Sequence, residues 1–361
     1  MTGRMSERQR NRAWLAAGVV TFLMISAGTV AVLWPLPNDL GPLQRRPVQP
    51  SVSASAGRGP TGGDAAYAIA TSTGPFAAGP VRPPVQGAFL GAWVRPPVLT
   101  QSARVSAVAA WEKTLGRRLH IVNTYRRIDD NFFDAADVQL AKRGRTIMIS
   151  WAAADTRSIT GGRYDEVIRQ RAREAKAWQQ PVLMRFRWEM DRPNLRASMW
   201  SGPDYIAAWR HTRDIFRQEG ADNVSWVWCP TAEGFTGGYA PDFYPGDDDV
   251  DWACVDVYAG GTFAPLGELL RPFLQWGAEH PSKPLMLGEF GVARAWGSEQ
   301  RAVWLTNASA VVRANPQIRA VLYFESNPDN GNGPNQEFRI SDDPLALAAF
   351  TGLAREPHFN P

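Results

Sequence analysis

Two glutamates stand where a protein core has no structural use for them. Glu189 lies next to last in the run PVLMRFRWEM at 181–190, and Glu289 lies near the end of KPLMLGEFGV at 283–292. Both runs read as short apolar strands, and in both the carboxylate sits beside an aromatic residue, Trp188 or Phe290. Burying such a charge is costly unless something pairs with it or uses it. Two strand tips of this kind in one domain point to paired-carboxylate chemistry. In glycoside hydrolysis with retention, an acid/base and a nucleophile sit about 5–5.5 Å apart across the scissile bond. Glu189 fits the first role and Glu289 the second. Trp188 and Phe186 supply the apolar surroundings that raise an acid's pKa, and Tyr258 and Arg185 are candidate donors to the nucleophile. The bland alternative is a buried Glu–Arg pair that ties strands together.

Other residues at predicted strand ends extend the pattern: Trp93, Tyr125, Trp151, Trp228, Asp256 and Phe324, with Arg185, Trp188 and Tyr258. Together they make a cup lined with aromatics and floored by carboxylates. Aromatic faces stack on the C–H faces of pyranose rings, and charged groups bind hydroxyls. Any one of these tryptophans reads equally well as core packing; the coincidence across several strands favours a sugar site.

The elements that must position them follow from periodicity. From about residue 87, apolar runs at 88–94, 119–125, 145–152, 181–190, 223–231, 250–258, 283–292 and 318–326 read as strands. Amphipathic stretches at 102–116, 164–179, 203–218, 266–278 and 299–314 lie between them. Gly116 and Gly144 read as helix stops, and Asp204 and Ser298 lie near helix starts. Strands apolar along their whole length are covered on both faces. Eight strand–helix units predict a (β/α)8 barrel over 87–361, with the site where strands end and loops begin. An open doubly wound sheet fits less well, because no Gly-rich phosphate turn follows the first strand.

The N-terminal part is of another kind. Residues 1–12 carry four arginines against Glu7, and 13–34 contain no charge, a length that crosses a bilayer as a helix. The basic flank predicts a cytoplasmic tail, an uncleaved anchor and an extracellular remainder. A cleaved signal peptide, giving a secreted enzyme, is the alternative. Residues 35–86, rich in Pro, Gly, Ala and Ser, read as a linker. The net charge of +4 is small and much of the basic excess is N-terminal, so no nucleic-acid face is expected.

Cys229 and Cys254 are the only cysteines; neighbouring strands could join them, and two buried thiols fit equally well. The four histidines are scattered, with no zinc spacing. Asp247–Asp249 reads as a solvated turn rather than a calcium loop. Asn223 and Asn307 head N-glycosylation patterns that the Arg- and Ala-rich, bacterial-looking composition gives no reason to expect in use.

These residues carry a resemblance. GAFLGAW (87–93), SWAAAD (150–155), RFRWEM (185–190), WVWCP (226–230), YPGDDDVDWACVDVY (244–258) and GEFG (288–291) occur in order. In these the chain resembles glycoside hydrolase family 26, the β-mannanases and related endo-β-glycanases, over about 87–355. The resemblance implies a retaining (β/α)8 endo-glycanase with no metal or organic cofactor. By position, Glu189 is its acid/base, Glu289 its nucleophile and Tyr258 the residue that orients the nucleophile. The family usually has His before the acid/base and often Asn-Gly two residues after it. Here the run is Trp188, Glu189, Met190, Asp191, Arg192. That departure bears on the sugar recognised, since both carboxylates are present. The expected partner is a polysaccharide, a β-1,4-mannan-like chain or a β-glucan. An exopolysaccharide met beside its synthase at the membrane is an alternative, and so is an inactive barrel that only binds glycan.

Overall fold

Successive side chains of a strand point to opposite faces, and that alternation decides what each strand offers the site. The structure, a computed structural model, describes residues 79–327 and 333–361. The expected tail, the expected anchor at 13–34 and residues 35–78 of the expected linker lie outside them. Eight parallel strands close into a barrel in chain order. They are β1 (Phe89–Val94), β2 (Ile121–Arg127), β3 (Thr146–Ala152), β4 (Val182–Phe186), β5 (Val224–Trp228), β6 (Trp252–Ala259), β7 (Leu285–Val292) and β8 (Ile318–Glu325).

The covering helices are α1 (Gln101–Leu115), α2 (Ala135–Ala141), α3 (Thr156–Thr160), α4 (Asp165–Trp178), α5 (Arg196–Met199), α6 (Gly202–Glu219), α7 (Ala232–Thr236), α8 (Leu266–Glu279), α9 (Gly297–Ala314) and α10 (Pro344–Arg355). Their ends follow local chemistry. The Thr100 side chain accepts the Ala103 N–H at 3.3 Å to start α1, and Gly116, in the left-handed conformation at φ 71°, stops it. Among the described residues no helix is long and apolar enough to cross a membrane.

The core has two shells. Outward residues such as Val182, Met184 and Phe186 of β4 pack under the helices. Inward residues including Phe89, Ile121, Met148, Leu183, Val227, Met286 and Leu322 fill the barrel. Val81, within the stretch read as linker, belongs to this inner shell. Its N–H donates to Ser225 Oγ at 2.7 Å, and its carbonyl accepts from Trp252 Nε1 at 3.1 Å. Towards the carboxyl ends of the strands the inward positions turn polar: Asn123, Ser150, Arg185, Asp256 and Glu289, all buried.

Cys229 and Cys254 form a disulfide inside the barrel, Cα atoms 4.3 Å apart, with the Cys229 sulfur 3.2 Å from Asp256 Oδ1. Gly288 faces this group; a Cβ there would collide with both sulfurs and the Asp256 carboxylate. The register between β6 and β7 shifts at this level and sets Asp256 opposite Glu289. The acidic turn at 247–249 is tied to its neighbours, with Asp249 paired to Arg210 at 2.8 Å and to Arg213 at 3.1 Å. The Asn223 side chain amide donates to the Ala175 and Gln180 carbonyls, so its pattern is taken up by the fold.

Candidate active site

The sequence extends strand four through Met190, but β4 ends at Phe186 and Glu189 sits in the turn beyond it. The Arg187 N–H reaches back to Trp151 at 2.9 Å, and the Glu189 N–H reaches the Cys229 carbonyl at 2.7 Å. In an unbroken parallel strand, residues two apart address the same neighbour. Here the chain turns over between β3 and β5. Arg187 at φ 44° and Glu189 at φ 53° make that turn in the left-handed region. A non-glycine residue there costs about 1–2 kcal/mol, and such strain persists only where the surroundings hold it. Asp191 is part of that hold. Its carboxylate accepts the Thr231 N–H at 3.1 Å and the Thr231 hydroxyl at 2.7 Å, clamping the turn to the loop after β5. Burial lifts the Asp191 carboxyl to about 7 in spite of those bonds.

Glu289 is held from three strands. The Tyr125 hydroxyl of β2 donates to Oε1 at 2.7 Å, Tyr258 of β6 donates to Oε2, and Arg185 Nη2 of β4 pairs with Oε1. Burial raises both tyrosines well above the usual phenol range, so they remain donors. Arg185 is itself fixed on every side. Nη1 bonds both Asp256 oxygens at 2.7 and 2.8 Å, and Nε bonds Ser150 Oγ at 2.8 Å. Ser150 in turn donates to Asn123 Oδ1 at 2.7 Å. Burial works against the guanidinium's charge; Asp256 and Glu289 more than offset that and hold it cationic.

Glu189 Oε2 accepts from Arg192 Nη1 at 2.8 Å. Burial pushes its carboxyl up, Arg192 pulls it back part of the way, and the charge of Glu289 pushes it up again. The two glutamates thus differ in setting. One is gripped by three donors, and the other has its carboxyl pushed up, which favours the protonated form. That difference is what separates a nucleophile from a general acid.

Around them stands an aromatic wall. Trp93 meets Tyr125 edge-on at 5.0 Å, Tyr125 lies 5.3 Å from Trp188, and the Arg185 guanidinium lies 5.3 Å from the Trp188 ring. On the other side Tyr258 packs against Phe324 at 5.8 Å and Phe338 at 4.4 Å. The site therefore gathers Trp93, Tyr125, Arg185, Trp188, Glu189, Asp256, Tyr258, Glu289 and Phe324.

Trp151 and Trp228 are not among them. Each is fully buried in the outer shell, Trp151 against Phe132 and Phe186, Trp228 against Tyr244 and Trp276. Alternation is the reason: Ser150 and Cys229 point inward, so their chain neighbours point out. Asn123, Ser150, Asp191, Arg192 and Phe338 were missed. The inward parity of β2 and β3 would have found Asn123 and Ser150. Phe338, in a long loop after β8, gave no signal.

With this geometry the chain can be set beside known proteins. No family model matches it. Endoglucanase H of Acetivibrio thermocellus is 29% identical over 286 residues, which are 73% of this chain and 30% of that protein. A β-1,3-xylanase of a Vibrio species is 31% identical over 147 residues, 37% of this chain and 28% of that protein. The chain therefore spans less than a third of these relatives' length. Among solved structures it is similar to a glycoside hydrolase family 26 β-mannanase of Bacteroides ovatus, with TM-score 0.54 and 17% identity, over 76% of this chain and 90% of that one. It is also similar to an endo-β-1,4-mannanase of Cellulomonas fimi, with TM-score 0.56 and 17% identity, over 75% and 71%. At such identities the structural likeness is one of fold. That likeness of fold covers about three quarters of the chain.

Proposed function

We propose that this chain, similar to family 26 glycoside hydrolases in its motifs and its fold, is a retaining endo-acting glycoside hydrolase. The observation that carries the reading is the asymmetric pair of glutamates at the barrel mouth: Glu289 buried and gripped by Tyr125, Tyr258 and Arg185, Glu189 half-buried in the turn beyond β4 beside Arg192. In the first step Glu289 attacks the anomeric carbon while Glu189 gives its proton to the leaving oxygen. The bond to the aglycone breaks and a glycosyl ester forms on Glu289. In the second step Glu189, now a carboxylate, takes a proton from water as that water attacks the ester, and Glu289 is released.

The substrate is a β-linked polysaccharide. Relatives named for glucan, xylan and mannan cleavage leave the sugar open, and Trp188 beside the acid differs from the His that is usual in the family. A predominantly basic flank before an uncharged run at 13–34 supports an anchored enzyme that works outside the membrane. From there it would act on extracellular chains, including one leaving a synthase of the same cell. The test is a panel of mannans, mixed-linkage and other β-glucans, xylans and the source cell's own exopolysaccharide, read by new reducing ends, with E189Q and E289Q in parallel. Cleavage lost in both variants supports the reading. Binding without cleavage by the wild-type chain would make it a glycan-binding barrel.

A further inference from the structure

The loops after β3 and β4 carry an aromatic residue that the site above does not use. Trp200 is 51% exposed, while the other described tryptophans are buried or half-buried. Its backbone is left-handed at φ 61°. That conformation is strained for a non-glycine residue, and several contacts hold it. The Trp200 N–H donates to the Arg196 carbonyl at 2.8 Å. The Thr156 hydroxyl reaches the carbonyls of Ser198 at 3.3 Å and Met199 at 3.0 Å, just before it.

The ring is fixed as firmly as the backbone. Indole Nε1–H donates to Asp155 Oδ2 at 2.5 Å, and Asp155 is anchored as the N-cap of α3 by the Ser158 N–H at 2.9 Å. The Arg157 guanidinium lies 4.2 Å from the ring centroid and is pinned by Asp204 at 3.0 and 3.1 Å. One face is therefore covered by a cation and the only polar atom is engaged. What the ring still offers to solvent is a flat apolar surface at a set angle. A tryptophan exposed without purpose would keep its rotamers free; this one is ordered before any ligand arrives.

Its place in the fold says what could use that surface. Trp200 ends the excursion 187–201 that also carries Glu189, and Arg187 Nη2 ties the excursion's two ends by donating to Ser198 Oγ at 2.6 Å. Glu189 protonates the leaving oxygen, so its loop borders the leaving part of the chain.

We propose that Trp200 is a stacking platform for a pyranose ring of the leaving portion of the glycan, outside the subsites that flank the cleaved bond. This rests on the hydrolase reading above. The test uses the full-length chain with the cleaved polysaccharide and its oligomers of increasing length, comparing wild type, W200A and W200F. The expected loss in W200A is in KM, roughly three- to tenfold on the polymer, the size of one aromatic stacking contact. It shrinks as the oligomer becomes too short to reach, and W200F restores most of it. An unchanged KM on the polymer, or the same loss on the shortest cleaved oligomer as on the polymer, overturns the platform and leaves the hydrolase standing. Should no glycan be cleaved, the hydrolase reading fails instead. Electrophoresis through the same glycans then decides Trp200: retardation lost in W200A supports it, and retardation absent or unchanged overturns it.

Discussion

Replacing Arg185 with methionine tests the polar floor of the barrel. The guanidinium is fully buried, with three of its bonds going to Asp256 and Glu289 and a fourth to Ser150. Methionine fills much of the volume but leaves two carboxylates facing each other without their shared cation. Removing one partner of a buried ion pair costs about 3–5 kcal/mol, a large share of a domain's stability of about 5–15 kcal/mol. With a urea dependence near 3 kcal/mol per molar, the unfolding midpoint falls by about 1–1.7 M. R185M/D256A removes the second charge too, so its loss should be clearly smaller than the sum of the single losses. The assay is equilibrium urea unfolding of the wild type, both single variants and the double variant at one pH. A single variant as stable as wild type, or strictly additive losses, would refute the argument that the arginine is held by these carboxylates.

Three further outcomes follow from the same geometry. In R192M the partial pull on the raised Glu189 carboxyl is gone, so the alkaline limb of the pH profile of kcat/KM moves to higher pH; a move to lower pH would show that Arg192 does not act on the acid. Asp191, lifted to about 7 from 3.8 by burial, keeps a proton that the unfolded chain has already released. Its contribution is thus full below about 4 and lost as pH rises through about 7. D191N, which cannot ionise, should lose less stability than wild type between pH 4 and 8 in urea titrations, and equal losses would count against this. W151A should lower stability by about 3–5 kcal/mol and leave KM on short oligomers near the wild-type value, because Trp151 packs under the helices; a large KM change with normal stability would return it to the site.

The barrel was legible because its strands are nearly uniform in hydrophobicity and its main helices carry clear stops such as Gly116. The shorter α2 and α10 escaped a reading based on long amphipathic periods, although Asp343 followed by Pro344 is a start signal, with Asp343 accepting the Ala346 N–H at 3.2 Å. The carboxylate pair, Arg185 and Tyr258 could be found as polar residues inside apolar runs. Trp151 and Trp228 were misplaced because strand-end position was read without strand parity. Asp191 and Arg192 were seen only as departures from a motif. Their work depends on a turn with two left-handed residues, which no local propensity of Arg187 or Glu189 foretells. Trp200 escaped because its meaning lies in Asp155 and Arg157, distant in sequence and adjacent only once β3 and β4 pair.

The most direct test of the two-glutamate mechanism is the anomeric configuration of the first product. Proton NMR, recorded as the full-length enzyme cleaves whichever glycan the panel identifies, should show the β-anomer of the new reducing end forming first and mutarotating later. The α-anomer forming first would mean inversion, and would contradict the assignment of Glu289 as a nucleophile.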